Sequence, residues 1–209
     1  MGQKDEKKNS KTTFNRRDAM SAEMRETVTG AKKERKMKMS RNAILLLALF
    51  AVFTGTLIYA AGELPDRVAS HFGAHGEPNG WMSKQEDLIF MCLVGFGTPL
   101  FIMAVCYLTR YLPSWMVNLP HRHYWLAPER RSATADYLFA HSIWLACLMV
   151  GFMTCVHLLV ILANKQTSPQ LSTSLLLAVL FSFPAGMGIW GWRLFQHFRY
   201  PTMPQAREA

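Results

Sequence analysis

Four stretches almost empty of charge decide what this chain can become: residues 43–62, 88–111, 136–163 and 171–195. An apolar run of about 20 residues is long enough to cross the roughly 30 Å hydrocarbon layer of a bilayer as a helix. Backbone amides in lipid must pair within their own segment, which leaves helices and closed barrels. A barrel strand alternates polar and apolar residues, and these runs do not. The sequence therefore predicts an all-α integral membrane protein, a bundle of four transmembrane helices. The first run reads as an anchor: a cleaved leader is shorter and ends in small residues.

Charge gives the expected orientation. The basic arm, residues 1–42, carries 13 of the 23 Lys and Arg. With that arm inside, the inner segments hold 20 basic residues, while the outer ones hold Arg67, Lys84 and Lys165. Cytoplasmic loops carry the excess of Lys and Arg, so both termini are expected to be cytoplasmic. The arm (1–42) reads as a disordered cytoplasmic segment. A four-helix domain follows (43–198), with an outer loop (63–87), an inner aromatic and basic loop (112–135), and a short tail (199–209). The arm offers no aromatic interleaving or motif for nucleic acid, so the lipid bilayer is the expected partner of its charge.

Within the spans, Gly95 and Pro99 predict a bend in the second helix, because proline removes a backbone donor. Ser132 or Thr134 is expected to cap the third. His141 and His157 lie 16 positions apart on it and point in different directions at 3.6 residues per turn. Ionisable groups within a span are functional candidates, although a histidine can also simply bond a neighbour. Ser174, Ala178, Ser182 and Gly186 recur every four residues on the fourth span, and such stripes let helices approach closely. They suit a neighbouring span or a homodimer. Cys92, Cys106, Cys147 and Cys155 all fall within spans and read as packing residues. The inner loop mixes Trp115, Tyr124 and Trp125 with basic residues, as expected of short interfacial structure.

The outer loop is the least generic part of the chain. Residues 64–84 read LPDRVASHFGAHGEPNGWMSK. Pro65 and Pro78 restrict the backbone, Gly73, Gly76 and Gly80 permit turns, and Asn79-Gly80 is a strong turn dipeptide. Residues 63–87 hold five acids and two bases, a balance suited to a cationic peptide or a metal. His71 and His75 are four apart, with Glu77 near; such spacing suits zinc on a helix, but Gly73 and Gly76 oppose a helix there.

In order and spacing, Leu64-Pro65, His71-Phe72, Gly76, Pro78, Gly80-Trp81 and Ser83-Lys84 resemble the signature of a bacterial membrane family, the domain of unknown function 1648. The inner segment resembles a second stretch found in longer members, through Asn118, Pro120, Tyr124-Trp125-Leu126 and Glu129-Arg130. The resemblance implies a multi-pass protein of the bacterial cytoplasmic membrane. The domain also occurs in immunity proteins that protect against a secreted sporulation-delaying toxin and hold a repressor at the membrane; those have further spans. The expected function is thus a binding, regulatory or immunity-like membrane protein whose outer loop receives a secreted peptide or envelope partner. Two alternatives stand beside it: a metal-binding protein using His71 with His75 or His157, and a transporter subunit. No phosphate loop, Ser-His-Asp constellation or paired acids within a span are apparent, so neither an enzyme nor a cofactor is expected.

Overall fold

The computed structural model describes residues 29–30 and 41–199. The chain divides into two units, 1–41 and 42–209, and nearly all described residues belong to the second. Of the expected arm and tail, all but residues 29–30, 41–42 and 199 lie outside the described residues. Among the described residues, four helices are long and apolar enough to cross a membrane: α1 (Arg41–Glu63), α2 (Lys84–Leu108), α4 (Pro128–Asn164) and α5 (Thr173–Arg199). A one-turn helix, α3 (Arg122–Trp125), precedes α4. The segment between α1 and α2 folds as an antiparallel hairpin of β1 (Arg67–Phe72) and β2 (Pro78–Ser83). All-α therefore holds for the bundle but not for the signature loop.

Helix α4 is the element on which the others pack. Its buried residues include Val150, Thr154, His157, Ile161 and Asn164, spaced three or four apart as one face of a helix requires. Against it α1 sets Phe53, Thr56, Leu57 and Ala60, all buried. Helix α2 approaches α1 closely at Gly95, where a side chain would run into the Phe53 ring. Phe96 stacks on Phe50 with ring centroids 5.1 Å apart. Pro99 supplies no N–H to the helix ladder, and the ladder is rewoven as a π-helical turn over Leu93–Gly97. A bend is the expectation near Gly95; the feature found there is a π-helical turn. Outward faces are apolar, with Ile58 70%, Phe101 68% and Phe181 72% exposed, as lipid contact requires.

Several boundaries move. Helix α2 begins at Lys84, not 88, because Ser83 and Glu86 form a reciprocal capping box, a strong helix start. The acid at 87 consequently lies inside the span, not in the loop. Helix α4 begins at Pro128, not 136, with proline in its first turn, where its missing N–H costs nothing. Neither Ser132 nor Thr134 caps it; the Thr134 hydroxyl donates to the Trp125 carbonyl at 2.8 Å. At about 1.5 Å per residue, the 37 residues of α4 exceed what a bilayer needs. Ser174, Ala178 and Ser182 of α5 are exposed, while Gly186 meets Leu148 of α4, so part of the small-residue stripe packs within the chain. All four cysteines are free.

Candidate functional site

The hairpin is fixed to the bundle by contacts that use backbone atoms. Asn164 is the C-terminal residue of α4. Its side-chain oxygen accepts from the Ala69 N–H at 2.7 Å, and its amide donates to the Ala69 carbonyl at 2.9 Å. On the turn, the Leu171 N–H donates to the Gly76 carbonyl at 2.8 Å. Gly76 takes a positive φ of 85°, and a side chain there would collide with the Leu171 backbone. Only glycine meets both conditions without strain. Asn79-Gly80, expected to turn the chain, lies inside β2; residues 73–77 make the turn, closed by Gly73 N–H to Glu77 carbonyl at 2.8 Å.

Most signature positions build this platform. Leu64 and Val68 join Ala60, Val160 and Ile161 in one buried cluster. Phe72 packs on Leu159, Ala163 and Leu171. Lys84 closes the base, its ammonium donating to the Leu64 carbonyl at 3.0 Å and its amide to the Asp66 carbonyl at 2.9 Å. Gly80 pairs with His71 across the strands, where a Cβ would stand 2.9 Å from that of His71. Pro78 pairs with Phe72.

Four signature residues are exposed, Pro65, His71, Trp81 and Ser83, and of these Ser83 is engaged in capping α2. The Arg67 guanidinium lies 5.2 Å from the Trp81 ring centre, and His71 Nδ1 is 3.1 Å from the Ser70 hydroxyl. The acids do not form one open patch. Glu63 pairs with Lys165 at 2.6 Å, Glu86 serves the helix cap, and Asp87 is buried. Glu63 and the Tyr59 hydroxyl together hold the Lys165 ammonium well above the usual lysine range.

Beneath the hairpin lies an arrangement missed from the sequence. Thr56 of α1, Asp87 of α2 and His157 of α4 meet inside the bundle, 8%, 1% and 0% exposed. His157 Nδ1 is 3.3 Å from the Thr56 hydroxyl, which bonds its own Phe53 carbonyl at 2.7 Å. His157 Nε2 faces Asp87 Oδ2 at 3.6 Å. These last two atoms are buried without a hydrogen-bond partner. His157 is thereby committed to Asp87 and Thr56 and is not brought to His71 or His75. Among the described residues no group of three or more His, Cys, Asp and Glu is arranged to hold a metal ion. The missed residue is Asp87; the Ser83–Glu86 cap, legible in the sequence, already puts it in the first turn of a spanning helix.

At the other end of the bundle, α4 and α5 enclose a cavity of about 710 Å³ lined by Tyr137, His141, Trp144, Trp190 and Arg193 among others. The second sequence motif lies nearby. Leu126 is buried, the Trp125 indole donates to the Phe198 carbonyl at 3.3 Å, and Arg130 stacks over Tyr124 at 4.0 Å. Asn118, Pro120 and Glu129 are exposed.

Residues 40–96 match the family model of a domain of unknown function, DUF1648. The DUF1648 match covers α1, the hairpin and the first part of α2, and so contains Thr56 and Asp87, while His157 and Asn164 come from outside it. No curated protein and no solved structure matches the chain. With four helices among the described residues long and apolar enough to span a membrane and this domain, the chain is a multi-pass membrane protein.

Proposed function

We propose that this is a non-catalytic binding or regulatory protein of the bacterial cytoplasmic membrane, with both termini inside and the DUF1648 hairpin facing out. The 20-to-three distribution of basic residues supports the orientation. One observation carries the binding role. Leu64, Phe72, Gly76, Gly80, Ser83 and Lys84 are used up in building and anchoring the hairpin, whereas His71 and Trp81 are displayed by it. Trp81 is held on the exposed side of the hairpin with Arg67 over its ring, and aromatic side chains are the usual anchors of interfaces.

The partner is then a secreted peptide or envelope protein that stacks on Trp81 and Arg67 and bonds His71. The acidic balance of the loop contributes less to this reading than side-chain counting suggests, since Glu63, Glu86 and Asp87 are engaged. Self-association through Ser174, Ala178 and Ser182 is compatible with it.

A deletion strain challenged with a panel of secreted peptides tests the proposal. We expect one class of peptide to inhibit the deletion strain, the wild-type gene to restore growth, and Trp81→Ala and His71→Ala to fail at unchanged membrane levels. Full complementation by both variants contradicts the role of the exposed face.

A further inference from the structure

We propose that Asp87 and His157 form a proton-binding site inside the membrane domain, and that the proton held there keeps the hairpin docked. The Thr56 hydroxyl has one hydrogen, directed at the Phe53 carbonyl 2.7 Å away. Its oxygen can therefore only accept from His157 Nδ1, 3.3 Å away, which makes Nδ1 the N–H of the ring. In a neutral imidazole the other nitrogen then carries a lone pair. That lone pair faces Asp87 Oδ2 at 3.6 Å, with both atoms fully buried and otherwise unpartnered.

Two lone pairs facing each other away from water repel, and an ionised carboxylate there would be an unpaired buried charge. One further proton resolves the conflict. It sits either on Asp87, giving a neutral acid that donates to Nε2, or on His157, giving an ion pair. In both forms the site binds one labile proton, and losing it leaves a carboxylate against a lone pair.

The surroundings offer no substitute. Helix α1 presents Thr56 and the Phe53 ring, whose centroid is 6.2 Å from that of His157. Asp87 is the ion-pair partner recorded for His157, and the reverse. Of the charged groups at this end of the bundle, Lys84 bonds the Leu64 carbonyl and approaches Asp66 at 3.9 Å, Glu63 pairs with Lys165, Glu86 caps α2, Arg67 lies over Trp81, and Glu77 is exposed on the hairpin turn. The hairpin contributes Val68 to the buried apolar cluster against which Leu88, the neighbour of Asp87, packs.

The site is mechanically joined to the hairpin at two points. Asp87 stands four residues after Ser83, the last residue of β2 and the cap of α2. Asn164 stands seven residues after His157, two turns further on the same face of α4, and holds both backbone polar groups of Ala69. Repulsion between Asp87 and His157 pushes the start of α2 away from α4 and so strains the attachment of β1. This coupling holds whatever the hairpin binds.

The test uses the full-length protein in lipid nanodiscs. Infrared spectra recorded across the pH range in which it stays folded are expected to show one protonation step, in a carboxyl or imidazole band, absent from Asp87→Asn. Asparagine keeps the shape and can donate to Nε2. In parallel, the amide exchange of Ala69 is compared with that of Asp87→Asn at each pH. We expect the ratio to stay near one while the proton is bound and to rise at least tenfold above the infrared midpoint. Thr56→Val, which removes the acceptor fixing Nδ1, should move that midpoint. If Asp87→Asn does not fold, the wild-type step and its displacement in Thr56→Val carry the test. Absence of any titrating band, or an exchange ratio constant with pH, overturns the proposal.

Discussion

The two ends of the bundle are joined by different physics. At the hairpin end, attachment uses backbone groups in fixed directions: Asn164 holds Ala69, Leu171 holds Gly76, and Lys84 holds Leu64. At the opposite end, attachment uses rings and guanidinium groups. Tyr137 stacks on His197 at 3.6 Å, Trp125 stacks on His197 at 5.4 Å, Arg130 covers Tyr124, and Arg131 bonds the Arg110 carbonyl at 3.2 Å. Stacked side chains tolerate small shifts because their attraction is spread over many atoms. Buried backbone hydrogen bonds do not, because each unmade bond leaves a polar group without water. The hairpin end should therefore be brittle to single substitutions and the opposite end forgiving.

The largest effect is expected at Gly76. Gly76→Ala imposes a positive φ on a residue with a side chain and drives that side chain into the Leu171 backbone. A loss of about 2–4 kcal/mol is expected, read as an unfolding free energy by steric trapping in bicelles. Gly73→Ala is the matched control. There the obstacle is the carboxylate of Glu77, at the end of a flexible side chain, and little change is expected. Equal losses at the two positions would remove the argument from backbone docking.

Asn164→Ala comes next. It frees a buried N–H and a buried carbonyl at once, for about 2–3 kcal/mol, and should raise exchange at Ala69 while leaving amides in the middle of α4 protected. Trp125→Phe at the opposite end removes one indole hydrogen bond but keeps a ring for stacking, for about 1 kcal/mol. If Trp125→Phe proves as costly as Asn164→Ala, the contrast between the two ends is wrong.

The smallest effect is at Lys165. Glu63 and Tyr59 raise its proton affinity above the ordinary value of 10.5. The attraction is therefore fully present below that value and is lost as pH rises through the raised one. Because the pair is exposed and screened by water, Lys165→Met should barely alter the unfolding midpoint at neutral pH. Chemical-shift titration of Tyr59 and Glu63 should show the contact unchanged from neutral pH up to the ordinary lysine range.

The membrane part was legible because lipid leaves few options. Span number, the disturbance at Gly95 and Pro99, and the divergence of His141 from His157 follow from hydropathy, proline chemistry and helix geometry. The hairpin was not legible as strands. Its residues were seen as turn formers, and the strongest turn dipeptide, Asn79-Gly80, lies within β2 because Gly80 makes room for His71. Asp87 was hidden by a boundary set four residues late. Apolarity marked the start of α2 at 88, whereas the Ser83–Glu86 cap starts the helix at Lys84 and draws the acid into the span. The pairing of Asp87 with His157 depends on how α2 and α4 pack, across 70 positions of sequence, and no local pattern announces it. Asn164 lies one residue beyond the span that apolarity marks at 136–163, and its side chain is what holds β1.

The DUF1648 hairpin is docked on the bundle and is not a free loop. Residue-resolved amide exchange of the full-length protein in nanodiscs tests it most directly, at the two amides that bridge hairpin and bundle, Ala69 and Leu171. Both are expected to be strongly protected together in the wild type, and Ala69 to lose protection in Asn164→Ala. Exchange of both amides at unprotected-peptide rates in the wild type would contradict it.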